Sequence, residues 1–138
     1  MRITAVCVSD CESGVIARFV LTAHLGSVHD LGVCNTKQEF MNAFSRAMGC
    51  ESYFGHNWDA VVDVLADLFR NSTSSLEAFL MRVTSRPEEE LIGMFSRALL
   101  AAAEDNQVAV DSCVLVVAAP PAIAEHLRTA LPDTLRMP

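Results

Sequence analysis

Apolar and polar positions along this chain change their period several times, and each change predicts a structural element. Met1 to Ser9 and Val15 to Leu25 are rich in Val, Ile, Thr and Phe. The turn-prone Ser9-Asp10-Cys11-Glu12-Ser13-Gly14 separates them, so the simplest expectation is an N-terminal strand or hairpin over 1–26. Gly26 to Asn35 reads as loop, with a short strand over Val28 to Val33 as the alternative. From Thr36 the spacing becomes helical. Phe40, Phe44, Ala47 and Met48 form an apolar stripe, Thr36 and Glu39 have the spacing of a capping box, and Gly49 is a stop.

After a short connection, Cys50 to Phe54, a second helix is expected from about Asn57 to Arg70. The cluster Asn71-Ser72-Thr73-Ser74-Ser75 ends it, because these side chains compete for backbone hydrogen bonds. Leu76 to Thr84 suits either a buried strand or a short helix. Pro87-Glu88-Glu89-Glu90 predicts the opening of a third helix, proline in its first turn and acids at its positive end, with Leu91, Ile92, Phe95, Leu99 and Ala102 on its buried face to about Asp105. Val108 to Ala119 is the clearest strand. Val114 to Val117 are apolar at successive positions, as in a central strand covered on both faces. Beyond Pro120-Pro121, Ala122 to Leu131 predicts a final short helix within a C-terminal extension, 120–138. Strands alternating with helices imply a single α/β domain over 1–138 with a small, largely parallel sheet.

The second helix carries an unusual charge pattern. Asp59, Asp63 and Asp67 recur every four residues and so stack along one stripe, while Trp58, Val61, Val62, Leu65, Leu68 and Phe69 fill the opposite face. Like charges at this spacing cost a helix roughly 0.2–0.5 kcal/mol per pair. Asp59 is excused by the helix dipole in a first turn capped by Asn57, but Asp63 and Asp67 are not. Between Arg46 and Arg70 there is no Lys or Arg, and four acids, Glu51, Asp59, Asp63 and Asp67, supply more than half of the net charge of −7. Such a run is most often a solvated face. Here Tyr53 and Phe54 precede it as an aromatic lip, and Gly55 marks the expected sharp turn before Asn57, the composition of an interface anchor.

The acidic balance argues against direct nucleic-acid binding, which needs clustered cations, and makes a basic protein the natural partner. No membrane-spanning run and no signal peptide are apparent, and five scattered cysteines suit free thiols in a cytoplasmic setting. His56 would pair with Asp59, meet a partner, or simply lie exposed in its loop. Cys7, Cys11, His24, His29 and Cys34 are the one conceivable zinc set, but they lack the usual paired spacing, so no metal or other cofactor is expected. Catalysis is not expected either. A triad built on Cys34 or Cys50 can be drawn on paper, as in any chain with this many cysteines and histidines.

The run Tyr-Phe-Gly-x-Asn-x-Asp-Ala-x-x-Asp-x-Leu, preceded by an amphipathic helix and a short loop, resembles the barstar family, intracellular inhibitors of microbial ribonucleases such as barnase; the likeness runs from about Thr36 to Leu68. The resemblance implies a three-stranded parallel sheet packed with several helices, extended here at both ends. It favours a strand over Leu76 to Thr84. It also implies an immunity protein whose acidic helix plugs the basic active site of an extracellular-type ribonuclease or toxin. Carried over by position, Tyr53, Gly55, Asn57, Trp58, Asp59, Val62, Asp63, Ala66 and Asp67 would bind the partner, with Asp59 and Asp63 as the principal acids. Three positions depart from the pattern. Val62 stands where a tryptophan is common, Leu68 or Phe69 replaces a later aromatic, and a helper acid on the third helix falls on Arg97. The alternative is a module of the same fold for a non-ribonuclease protein. Self-association and the role of the terminal additions are left open.

Overall fold

The computed structural model describes residues 2–9, 27–88, 90–104 and 110–130. Within them lie β1 (Arg2–Ser9), β2 (Ser27–Val33), α1 (Lys37–Met48), α2 (Trp58–Asn71), β3 (Leu76–Arg82), α3 (Leu91–Ala103), β4 (Ser112–Ala119) and α4 (Pro121–Ala130). The strands form one sheet in the order β1-β4-β3-β2, and every pairing is parallel. Among the described residues the sheet therefore has four strands, not three. The steps from β2 to β3 and from β3 to β4 run in the same direction across the sheet. Crossovers of a single hand then place α1, α2 and α3 on one face, where they share a continuous core with α4.

The fourth strand accounts for the apolar run in β4. Without β1, β4 would be an edge; with Arg2 to Ser9 paired in register to Ser112 to Ala119, it lies inside the sheet. Its side chains face two environments. Cys113, Leu115, Val117 and Ala119 join the main core, whereas Val116 and Ala118 form a small second cluster on the far face with Leu80, Val6 and Val114. The described part of the N-terminal segment, Arg2–Ser9, is thus a parallel strand on β4. The second arm of the expected hairpin lies outside the described residues. The C-terminal addition forms α4, which packs on β1 and β4, buries Ala124 and Leu127, and is tied to β1 by Arg128 Nε donating to the Cys7 carbonyl at 3.0 Å.

Local signals explain most element ends. The capping box of α1 is formed, Thr36 Oγ1 accepting from Glu39 N and Glu39 Oε1 from Thr36 N, both at 3.1 Å. Gly49, at φ 68°, ends that helix. The segment from Gly26 to Asn35 contains β2, whose mixed composition reflects an edge strand. A bulge between Asp30 and Gly32 leaves Leu31 as the extra residue and directs it into the core. Leu76 to Arg82 is a strand. The third helix starts later than the Pro87-Glu88-Glu89-Glu90 signal predicts, at Leu91, behind Glu90 in the left-handed region at φ 66°. Glu88 serves a different helix: its carboxylate accepts from Lys37 N at 2.9 Å, at the positive end of α1.

β3 carries one buried charge. Glu77 is 1% exposed and accepts from Ser72 Oγ at 2.6 Å while meeting His29 Nε2 at 2.7 Å. The His29 ring stacks on Phe79, with centroids 5.0 Å apart. The carboxylate therefore joins β2, β3 and the residue that ends α2. Glu77→Ala would leave His29 Nε2 without this partner and the Ser72 hydroxyl with only the Ser74 carbonyl, at 3.2 Å, in a partly buried site. It is expected to cost about 3 kcal/mol in urea unfolding followed by Trp58 fluorescence; a loss below about 1 kcal/mol would mean that water replaces the carboxylate at no great cost.

Candidate functional site

The acidic helix α2 rests on an aromatic cluster. Phe40 of α1 packs against Phe44, Trp58 and Phe95, with centroid separations of 5.7, 5.2 and 4.7 Å. Trp58, the first residue of α2, is half-buried against Phe40. Val61, Leu65 and Phe69 then bury the inner face of the helix completely, and Val62, Ala66 and Leu68 flank it, partly buried. This is the face that the apolar spacing predicted.

The loop before α2 differs from the expectation in two respects. Phe54 does not belong to an exposed lip: it is 8% exposed and packs on Phe44 at 5.6 Å, leaving Tyr53, at 74%, as the projecting aromatic. The left-handed residue is His56, at φ 53°, and not Gly55. Gly55 serves by lacking a side chain, since a Cβ there would stand 3.1 Å from Asn57 Nδ2. That amide donates to the Gly55 carbonyl at 3.1 Å, while Asn57 Oδ1 accepts from Ala60 N at 2.8 Å and caps α2. His56 is exposed, and its Nδ1 lies 3.0 Å from the Phe54 carbonyl oxygen; the pairing considered with Asp59 is not formed.

Asp59, Asp63 and Asp67 are all exposed and follow one another up the helix. Their electrostatic situations differ. Asp67 is bound by Arg70, three residues on, through Nη2 to Oδ1. Asp59 and Asp63 make no ion pair among the described residues, so two carboxylates on successive turns face solvent. Spacing alone could have revealed the Asp67 to Arg70 pair, which is an ordinary i,i+3 contact. The far end of the helix is held by Ser72, whose hydroxyl reaches buried Glu77. A lone acid inside the largely apolar strand Leu76–Arg82 was the available sign of that anchor. Arg97 lies exposed on α3, the helix packed beside α2.

The residues considered for other chemistry are dispersed or shielded. Cys7 and His29 occupy opposite edge strands of the sheet, and Cys11 and His24 lie outside the described residues. Cys34 and Cys50 are fully buried, the former donating from Sγ to the Leu31 carbonyl at 3.5 Å. Burial pushes the thiol of Cys34 up to about 11, helped by the nearby Glu39 carboxylate. Cys7 is likewise raised by burial to about 11, and Cys113 to about 12 with Glu77 adding to the effect. Burial raises Cys50 as well. No helix among the described residues is long and apolar enough to cross a membrane.

The family model described as Barstar (barnase inhibitor) matches residues 27–111. That span runs from β2 through α1, the loop, α2, β3 and α3 to the residue before β4, and so contains every residue of the acidic face. No curated protein and no solved structure matches the chain.

Two outcomes follow from this geometry. Asn57→Ala removes the side-chain cap of α2 and is expected to cost about 1 kcal/mol in urea unfolding. With Cys11 replaced by serine, the four remaining thiols in the native protein should react with a disulfide reagent at pH 8 at least about tenfold more slowly than in the unfolded chain. Because burial raises Cys7 and Cys34 to about 11 and Cys113 to about 12, the rate should keep rising with pH well past the range in which an ordinary thiol levels off. Rapid reaction at pH 8 would contradict the burial described.

Proposed function

This chain belongs to the barstar family, and on that premise we propose that it is an immunity protein, an inhibitor that plugs the basic active site of a microbial ribonuclease with α2. The observation that carries the reading is the pair of exposed, unpaired carboxylates of Asp59 and Asp63 on a helix whose other face is fully buried. A ribonuclease binds RNA phosphates with cationic groups, and carboxylates held at the right spacing occupy the same positions. A carboxylate offers no scissile phosphodiester, so binding ends in a blocked site.

Each residue has a part in this reading. Asp59 and Asp63 pair with the enzyme's cations. Tyr53 supplies an exposed aromatic contact beside them, and Val62 and Ala66 form the shallow apolar flank of the stripe. Gly55 and Asn57 fix the entry of the chain into the helix, and Trp58 anchors its first turn in the core while offering an edge to the partner. Asp67 contributes less, because Arg70 already compensates it. A net charge of −7 hastens encounter with a basic enzyme, an effect that salt weakens. The chain acts by binding and not by catalysis, and it works in the cytoplasm of the cell it protects.

A specific observation favours a second reading. Val62 and Arg97 stand where the family pattern has an aromatic and an acid, which fits a module of this fold that binds a different protein. RNA cleavage by a purified barnase-type ribonuclease, at low and high salt, separates the two. Inhibition is expected, weaker at high salt, and Asp63→Ala should weaken it roughly a hundredfold or more by leaving a desolvated cation unpaired, with folding unchanged. Binding without suppression of cleavage would favour the second reading. An equally inhibitory Asp63→Ala would remove that residue from the interface.

A further inference from the structure

α3 carries a single charge that the fold does not use. From Leu91 to Ala103 its only ionisable residue is Arg97. The residue lies in the middle of the helix, where no dipole term favours a cation. Positions 93, 94, 100 and 101 are Gly, Met, Leu and Ala, so no acid stands one turn away on either side. Arg97 makes no ion pair among the described residues; its Nη1 reaches only the Met94 sulfur, at 3.3 Å. Of five donors the guanidinium spends one, on a weak acceptor.

Its direction matters as much as its isolation. The buried stripe of α3 is Leu91, Ile92, Phe95, Ala98, Leu99 and Ala102, and on a helical wheel Arg97 lies opposite it. In α2 the buried stripe is Val61, Leu65 and Phe69, and Asp63 lies opposite. The two helices pack side by side over the same core, on the same face of the sheet. Packed helices stand about 8–10 Å apart axis to axis, so the outer surface these two helices share carries a cation on α3 as well as the acids of α2. The last turn of α2 adds little field of its own, because Asp67 is bound by Arg70.

Resting on the inhibitor reading above, we propose that Arg97 is a specificity determinant of the same docking surface, and that the cognate partner is a basic ribonuclease with a carboxylate at the rim of its cationic cleft, facing α3. Such a partner meets negative with positive along α2 and positive with negative along α3. A cleft whose positive surface continues over α3 meets Arg97 instead and is repelled. The mixed pattern thus selects one basic ribonuclease among several of similar net charge, through a repulsive element placed beside the attractive ones.

The test uses a purified barnase-type ribonuclease as probe and compares the wild type with Arg97→Glu, Arg82→Glu, Asp63→Ala and the double variant Arg97→Glu with Asp63→Ala. Arg82 is exposed on β3, on the sheet face away from the helices, so its reversal changes net charge equally at a distance from the site. The expected result is association with Arg97→Glu faster than wild type by roughly tenfold at low salt, well beyond Arg82→Glu, with the gain vanishing at high salt and recurring when the double variant is compared with Asp63→Ala. A change with Arg97→Glu equal to or smaller than that with Arg82→Glu overturns the proposal. If the wild type still inhibits and Asp63→Ala does not, that result leaves the inhibitor reading standing. Failure of every variant to bind removes both.

Discussion

The contact on which most of this structure depends is the packing of the Phe40 ring against Phe44, Trp58 and Phe95. It joins α1, the start of α2 and α3 at one point, and Phe95 carries it to β3 through an edge contact with Phe79 at 5.6 Å. Phe44 extends it to Phe54 in the loop before the acidic helix. Aromatic pairs of this kind contribute about 0.5–1.5 kcal/mol each beyond the area they bury. Their further consequence is geometric: the loop and the first turn of α2 have little freedom to move relative to the sheet. A rigid carrier suits recognition, because side chains already in place lose little entropy when a partner arrives.

That rigidity supports a helix whose outer face does nothing for folding. Asp59 and Asp63 repel, and so do Asp63 and Asp67, with Arg70 compensating only the last. The stability of α2 comes from elsewhere: the Asn57 cap at one end, the fully buried Val61, Leu65 and Phe69 along its length, and Ser72 on Glu77 at the other end. Two kinds of acid are therefore kept apart. Glu77 is buried and satisfied, and it ties strands to helix; Asp59 and Asp63 are exposed and form no ion pair among the described residues, which leaves them available. The isolated Arg97 belongs with the second kind in sign-reversed form.

The sheet shows how one edge strand changes the environment of its neighbour. The family match covers residues 27–111 and stops short of β4, while β1 and α4 lie outside it altogether. Pairing β1 to β4 turns a strand that would be an edge into an internal one, and α4 then packs on both. The consecutive apolar residues Val114 to Val117 fit this environment, since an internal parallel strand is screened from water on each face.

Where a signal is local, the sequence determined most of the outcome, the helix start read at Pro87 to Glu90 and the turn read at Gly55 excepted. The Thr36 and Glu39 box, the Gly49 stop, the Asn57 cap, the apolar stripe of α2 and the row of aspartates depend on residues a few positions apart, and each is found as read. The internal placement of β4 was also legible, because burial on both faces leaves a continuous apolar run. Tertiary structure decided what no short window contains. The strand count follows from pairing between Arg2 to Ser9 and Ser112 to Ala119, more than a hundred residues apart. Glu88, read as the start of α3, caps α1 because the fold brings it to Lys37 N. Phe54 was indistinguishable from Tyr53 until packing on Phe44 buried one and left the other exposed. Periodicity fixes which side of an element is apolar, but the partner of a given atom is set by long-range packing, and that is what lays α3, with Arg97 on it, against α2.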